Sequence, residues 1–374
     1  MPKTHIAFVG SRGIPANHGG FETFVEKLAL SLENEFQVTV LCERDQKQKF
    51  TNLKKLSNVS LRYSIFNKSK YPNLFMLDSH LRCLDADIIY SCGVLGSLSM
   101  WIPQIFGKTY ITNPDGLGWK RDKYNGLKKF LLSFLFRVSY TLSNRMVFDS
   151  EAIKTVLFDS FRKRKNYSVI AYGSEPNQFV SEGAKSELVK KILEKYELKD
   201  QGYHLVVSRL EPENNVHLIV EGYKMIPKPK YPLIIVGRTL DTKYVNELMQ
   251  YENENIRFIG GLYQENELNI ARASCFSYLH GHSVGGTNPS LLEAMNSTNL
   301  CICHDNVFNR EVTSNNGYYF STAEELCQVF SKVEDDKNLQ EIEAKKIKLK
   351  SRAIEAYSWP DITSQYQQLF RSIK

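Results

Sequence analysis

Short runs of β-branched and aliphatic residues alternate with longer amphipathic stretches along the chain. Strand-like runs at 6–9, 37–42, 59–65, 87–91, 108–112, 146–149 and 167–171 are interleaved with helical periodicity at 20–33, 73–84, 126–143 and 151–158. A polar stretch at 174–186 interrupts the pattern, which then resumes with helices at 187–196, 215–226, 241–249, 265–272, 289–296 and 322–334 and strands at 204–208, 232–236, 256–259, 275–279 and 300–303. Alternation of this kind predicts parallel sheets covered by helices. Its restart predicts two α/β domains, 1–178 and 179–357. The charged segment 335–355 reads as a helix on a solvated face.

Composition agrees with two globular cores. The 374 residues are 42% hydrophobic and 24% charged, which is neither disordered nor fibrous in character. The seven cysteines are scattered in apolar contexts, as expected of buried thiols in a reducing cytoplasm. Cys301-x-Cys303-His304 lacks a second ligand pair at zinc spacing and reads as a strand. No export signal is expected at the start, and the most apolar run, Phe130 to Phe136, is far too short to span a bilayer. The net charge of +7 favours an anionic partner: nucleic acid, a phosphorylated substrate or anionic lipid.

Candidate chemistry gathers where predicted strands end. The first strand runs into Gly10-Ser11-Arg12-Gly13-Ile14-Pro15 and then Asn17-His18-Gly19-Gly20 at a helix start, where glycines let backbone amides approach a phosphate or sugar. The spacing is not G-x-G-x-x-G, so Glu43 after the second strand does not complete a nicotinamide fingerprint. Asn113-Pro114-Asp115-Gly116-Leu117-Gly118-Trp119-Lys120-Arg121 follows another strand; Asp115 could orient a hydroxyl and Lys120 and Arg121 hold phosphate, or the segment is an Asp-Gly turn with solvated cations. Residues 120–145 interleave cations with Leu127, Phe130, Leu131, Phe134 and Phe136, a pattern suited to a membrane interface or to covering the sheet. In the second half, Arg209 stands at a strand end where it could clamp a diphosphate, with a structural arginine as the alternative. The glycine loop Gly285-Gly286-Thr287-Asn288 opens a helix that carries Glu293 about one turn inside, placed to reach sugar hydroxyls or simply to favour the helix dipole. Asp85-Ala86-Asp87 matches a metal-binding D-x-D, but it precedes a strand and reads as a turn, so a metal-independent site is expected.

These motifs resemble the retaining glycosyltransferase family 4, which has the GT-B fold of two Rossmann-like domains facing across a cleft. The glycine-rich start, Asp115-Gly116-Leu117, Pro212-Glu213-Asn214-Asn215 and Gly285-Gly286-Thr287-Asn288-Pro289-Ser290 are similar to the bacterial rhamnosyltransferases of capsule and cell-wall polysaccharide synthesis. The resemblance implies a nucleotide-sugar donor, dTDP-β-L-rhamnose, on the C-terminal domain at Arg209, Gly285, Gly286, Thr287, Asn288 and Glu293, with Gly19 and Gly20 of the first domain also donor-binding. It implies a lipid-pyrophosphate-linked saccharide as acceptor near Arg12, His18, Asp115, Lys120, Asp149 and Tyr172, with the last helix, 358–374, packing back on the first domain. No cofactor, metal or nucleic acid is implied. The place implied is cytoplasmic, peripheral on the inner face of the bacterial membrane.

Three positions depart from the family pattern: Gly285 replaces a glutamate, Asn214 a lysine, and Gly118 a glutamate. The rhamnosyltransferase-like subgroup shares the first two. By the same resemblance the acceptor hydroxyl attacks from the face the diphosphate leaves. Asp115 orients that acceptor, Arg209 and the 285–288 amides stabilise the leaving group, and Glu293 holds donor hydroxyls. Two rivals share the architecture. A sugar-nucleotide epimerase would alter the donor without an acceptor, and a non-catalytic partner subunit would bind nucleotide without turnover.

Overall fold

A computed structural model describes residues 3–16, 20–49, 53–114, 116, 118, 126–161, 163–182, 186–262 and 264–373. The chain forms two compact units, Met1–Tyr172 with Pro360–Lys374, and Gly173–Trp359. The division falls after Tyr172 rather than at 178, because the backbone already joins the second unit there. The Ser174 amide donates to Tyr357 O (2.7 Å), Ser174 pairs in parallel with Ser358, and Asn296 Nδ2 donates to Ser174 Oγ (2.6 Å).

In the first unit the strands are β1 (His5–Val9), β2 (Gln37–Cys42), β3 (Lys55–Leu56), β4 (Val59–Tyr63), β5 (Ile88–Cys92), β6 (Thr109–Asn113), β7 (Arg145–Phe148) and β8 (Tyr167–Val169). They make a sheet of order β3-β4-β2-β1-β5-β6-β7-β8, parallel except for the β3–β4 pair. Helices α1 (Gly20–Leu32), α2 (Arg44–Lys49), α3 (Pro72–Arg82), α4 (Trp101–Ile105), α5 (Gly126–Leu142) and α6 (Glu151–Ser160) connect them. β1 and β5 are buried along their whole length, the mark of central parallel strands covered on both faces.

The second unit has β9 (His204–Val207), β10 (Leu233–Val236), β11 (Ile256–Phe258), β12 (Ser277–His280), β13 (Leu300–His304) and β14 (Tyr318–Phe320), in the order β11-β10-β9-β12-β13-β14 and parallel throughout. Its helices are α7 (Phe179–Glu182), α8 (Glu187–Lys195), α9 (Val216–Lys224), α10 (Lys243–Met249), α11 (Glu265–Ala273), α12 (Pro289–Asn296), α13 (Val307–Thr313), α14 (Ala323–Val333) and α15 (Leu339–Tyr357). Leu205, Ile234, Ile235, Leu279 and Ile302 at the sheet's centre are inaccessible or nearly so.

The final helix, α16 (Trp359–Arg371), belongs to the first unit from Pro360 onward. Ile362, Tyr366, Leu369 and Phe370 are buried, and the Tyr366 hydroxyl lies 3.0 Å from that of Tyr90 on β5.

Candidate active site

Each sheet reverses its winding direction once. In the first unit β1 leads outward to β2 while its other neighbour, β5, leads to β6; in the second, β9 leads to β10 while β12 leads to β13. Loops leaving the carboxyl ends of such a strand pair diverge and open a crevice, the usual ligand site of open α/β sheets. The glycine-rich loop after β1 stands at one of these points. Arg209 after β9 and the 281–288 loop after β12 stand at the other.

The two loops of the second unit are tied to each other. Ser283 N and Oγ donate to Glu213 O (3.1 and 3.0 Å), and Asn215 Nδ2 donates to Gly281 O (2.8 Å). Gly281 is obligatory here, because a Cβ would lie 2.1 Å from Asn214 O. Asn214 Nδ2 donates to Arg209 O (2.7 Å), so Asn214 shapes the strand end beneath Arg209. The Arg209 side chain is 63% exposed and lies 3.5 Å from Glu211. On the far side, Asn306 and Asn309 Nδ2 both donate to His282 O (3.0 Å each).

This clamped loop delivers Gly285, Gly286, Thr287 and Asn288 to the start of α12. Asn288 caps the helix, its Oδ1 accepting from Ser290 N (3.1 Å), and Pro289 supplies a fixed φ without an unpaired amide. Gly285 has φ +150° with nothing near its missing Cβ, so conformation rather than space calls for glycine. Glu293 lies one turn inside α12. Its Oε2 is 2.5 Å from Nη2 of Arg272, which is buried on α11, while the glutamate side chain stays 40% exposed. The sequence reading missed Arg272; the one signal for it is a lone cation inside the apolar helical segment Ile270-Ala271-Arg272-Ala273.

Behind the loop, His280 and His282 stack at 4.3 Å. His280 is fully buried, and both its ring nitrogens lack a hydrogen-bond partner among the described residues. Burial, followed by the neighbouring His282 and His304, pushes its pKa well below the ordinary imidazole value.

In the first unit, two carboxylates of α1 bind the glycine-rich loop. Arg12 N donates to Glu22 Oε1 (2.8 Å) and Ala16 N to Glu26 Oε2, so those amides are already committed. Arg12 O accepts from Glu43 N (2.8 Å), leaving the Arg12 side chain outward and exposed. Gly20 is the first residue of α1. Asp149 is buried just past β7, and the buried Tyr172 ring packs on Phe24 (5.0 Å) and Phe21 (6.5 Å). His18, Gly19, Asp115 and Lys120 lie outside the described residues. Glu43 Oε2 accepts from Lys68 N (3.0 Å), and burial raises its pKa.

The carboxylates of Asp85-Ala86-Asp87 serve the scaffold. Asp85 pairs with Arg62 (2.5 and 2.6 Å), and Asp87 Oδ2 accepts from His5 N (2.9 Å). Among the described residues no cluster of three or more His, Cys, Asp or Glu is placed to hold a metal, and no helix is long and apolar enough to cross a membrane.

Comparison with known proteins follows the same division. Residues 189–350 match the family model of glycosyl transferases group 1, and residues 3–65 and 88–175 match DUF1972, a domain of unknown function. An uncharacterized glycosyltransferase of Methanocaldococcus jannaschii is 23% identical over 95% of both chains. The O-antigen chain mannosyltransferase B of Escherichia coli is 27% identical over 30% of this chain and 31% of its own. Among solved structures, the sucrose-phosphate synthase of Thermosynechococcus elongatus superposes with a TM-score of 0.79 at 14% identity, covering 99% of each chain. Anabaena HepE in complex with UDP-glucose superposes with a TM-score of 0.76 at 14% identity, covering 99% of this chain and all of HepE. The fold is GT-B, and the matches support glycosyltransferase activity.

Proposed function

We propose that the chain transfers L-rhamnose from dTDP-β-L-rhamnose to a lipid-pyrophosphate-linked saccharide, with retention and without a metal, at the cytoplasmic face of a bacterial membrane. One observation carries the donor half: at the switch point of the second unit, Arg209 and the glycine loop leading into α12 leave neighbouring strands and are hydrogen-bonded into one body. A guanidinium beside a helix start suits a departing diphosphate, and preorganised donors act there without reorganising as charge develops. HepE, crystallised with UDP-glucose, supports a nucleotide-sugar donor. The rhamnose and the lipid-linked acceptor rest on the motif resemblance of both halves.

In the proposed reaction the bond between the sugar's anomeric carbon and the phosphate oxygen breaks, and both electrons go to the nucleoside diphosphate. The acceptor hydroxyl forms the new bond on the same face and gives its proton to the departing phosphate. Arg209 and the 285–288 amides stabilise the diphosphate, Glu293 holds donor hydroxyls, and Asp115 orients the acceptor. On this reading dTDP stabilises the protein in chelator, by about 2.7 kcal/mol at a hundredfold excess over its dissociation constant. Melting curves with dTDP, UDP and GDP test this, and a strict magnesium requirement overturns the metal-free site. Mass spectrometry of products from a panel of nucleotide sugars and lipid-pyrophosphate acceptors tests the transfer itself. A nucleotide sugar altered without acceptor would instead identify an epimerase.

A further inference from the structure

A basic pocket lies in the first unit, away from the loops that follow β1. It has a volume of about 610 Å3 and is lined by Arg137 and Tyr140 of α5 together with Phe161, Lys163, Arg164 and Lys165 of the segment between α6 and β8. Those residues precede β7 and β8, so the pocket sits at the amino-terminal edge of the parallel sheet. The glycine-rich loop follows β1 and Asn113 is the last residue of β6, so both belong to the opposite edge.

The pocket is cationic and already shaped. Arg164 is held in place by backbone carbonyls, donating through Nη1 to Tyr140 O and through Nη2 to Ser143 O (2.6 Å), and its guanidinium lies over the Tyr140 ring. Arg137 lies over the Phe161 ring, 5.4 Å from its centroid. Among the described residues no carboxylate pairs with Arg137, Lys163, Arg164 or Lys165, and none lines the pocket. Half-buried guanidinium beside two exposed lysines is an uncompensated positive field. Burial lowers the Arg164 pKa, the sign of a cation lacking a counter-charge.

The surface beside the pocket is apolar. Leu127, Phe130, Leu131 and Phe134 repeat at helical spacing on the outer face of α5, Leu127 and Phe130 being 79% and 70% exposed. The same face continues to Arg137 and Thr141 at the pocket. Seventeen residues of helix span about 25 Å. One side of α5 thus carries an apolar stripe that ends in a cation-lined cavity, which is the pairing an amphipathic surface needs to seat acyl chains beside a phosphate.

We propose that this pocket binds the phosphate headgroup of an anionic phospholipid while the α5 stripe enters the bilayer surface. Arginine and lysine suit a phosphate oxygen cluster, and the neighbouring stripe favours a lipid over free phosphate or a nucleic acid. The inference rests on the proposed reaction only for its membrane-borne acceptor, and its test uses neither donor nor acceptor.

The test is co-sedimentation of the full chain with vesicles of phosphatidylcholine alone or with phosphatidylglycerol. It compares wild type, Arg137→Gln/Lys163→Gln/Lys165→Gln, and a control of equal charge change, Lys191→Gln/Lys199→Gln/Lys348→Gln, on exposed residues of the second unit. The pocket variant should lose roughly fivefold in affinity for anionic vesicles per cation removed, while the control keeps most of its binding. Leu127→Ser/Phe130→Ser should weaken binding to both vesicle types. Equal losses in the pocket variant and the control overturn the pocket. So does full displacement by millimolar inorganic phosphate at constant ionic strength, or pocket-dependent binding to single-stranded RNA without binding to vesicles. Melting temperatures and far-ultraviolet circular dichroism unchanged from wild type show each variant folded without recourse to the donor-site reading.

Discussion

Glu293 is held by Arg272 at 2.5 Å, and that pairing changes what its replacement does. Removing the charge in Glu293→Gln leaves a buried guanidinium uncompensated, so stability should fall by about 1–3 kcal/mol, less than for a fully buried pair because the glutamate is partly solvated. If the carboxylate also grips donor hydroxyls in the transition state, transfer should fall by roughly thirtyfold to a thousandfold. Adding Arg272→Met should restore the melting temperature without restoring transfer; recovery of both would make the pair purely structural. Gly285 gives a second prediction. Gly285→Glu places a side chain in open space but at φ +150°, and should cost about 1–3 kcal/mol, with Gly285→Ala costing the same. Unchanged melting of Gly285→Glu would show that the loop relaxes to accept a side chain at this position. That Gly285 to Asn288 form a loop opening a helix, with Glu293 about one turn inside, was legible in the sequence because loop and cap chemistry is local. Arg272 was not, since its partner is twenty-one positions away and only the packing of α11 on α12 joins them.

At the scale of elements, the sheet strands were legible wherever burial on both faces leaves an unbroken apolar run. The strand expected at 37–42 and the helix expected at 289–296 coincide with β2 and α12. Two of the four edge strands were not legible, β3 with its two residues and β14, the run Tyr318-Tyr319-Phe320 behind a glycine, whereas the edge strands β8 and β11 fall where strands were expected at 167–171 and 256–259. α4 and α13, of five and seven residues, also escaped, although α10, likewise of seven residues, falls where a helix was expected at 241–249. The role of α16 can be tested directly. Tyr366 is inaccessible, hydrogen-bonded to Tyr90 and packed on Phe24 (5.6 Å), so Tyr366→Ala should cost about 3–5 kcal/mol, all of it in the first unit. Calorimetry should then show one transition moved down and the dTDP-dependent transition unchanged. Equal movement of both would mean that the two units unfold as one.

Across the whole molecule, burial lowers the pKa of histidines in both units: His5 and His80 in the first, His204, His280 and His304 in the second. His80 is the clearest case, pushed down to about 4 in a site where its ring nitrogens meet Ser99 Oγ and Tyr110 OH at 2.9 Å each. A folded-state pKa below the unfolded value means that the unfolded chain binds more protons between the two. Stability is therefore fully present above about pH 6.5 and falls as pH drops below it. For His80 alone the slope approaches 1.4 kcal/mol per pH unit, or about 3 kcal/mol by pH 4. The carboxylates lowered by ion pairs, such as Asp85 beside Arg62, titrate below the ordinary carboxylate range and contribute nothing to a change above pH 5. Between pH 7.5 and 5.5, then, the urea midpoint should fall, and His80→Gln, though less stable at pH 7.5, should fall less steeply in the first unit's transition. A midpoint constant over that interval would mean that these imidazoles take up protons in the fold as readily as in the unfolded chain, so that their burial leaves no net shift.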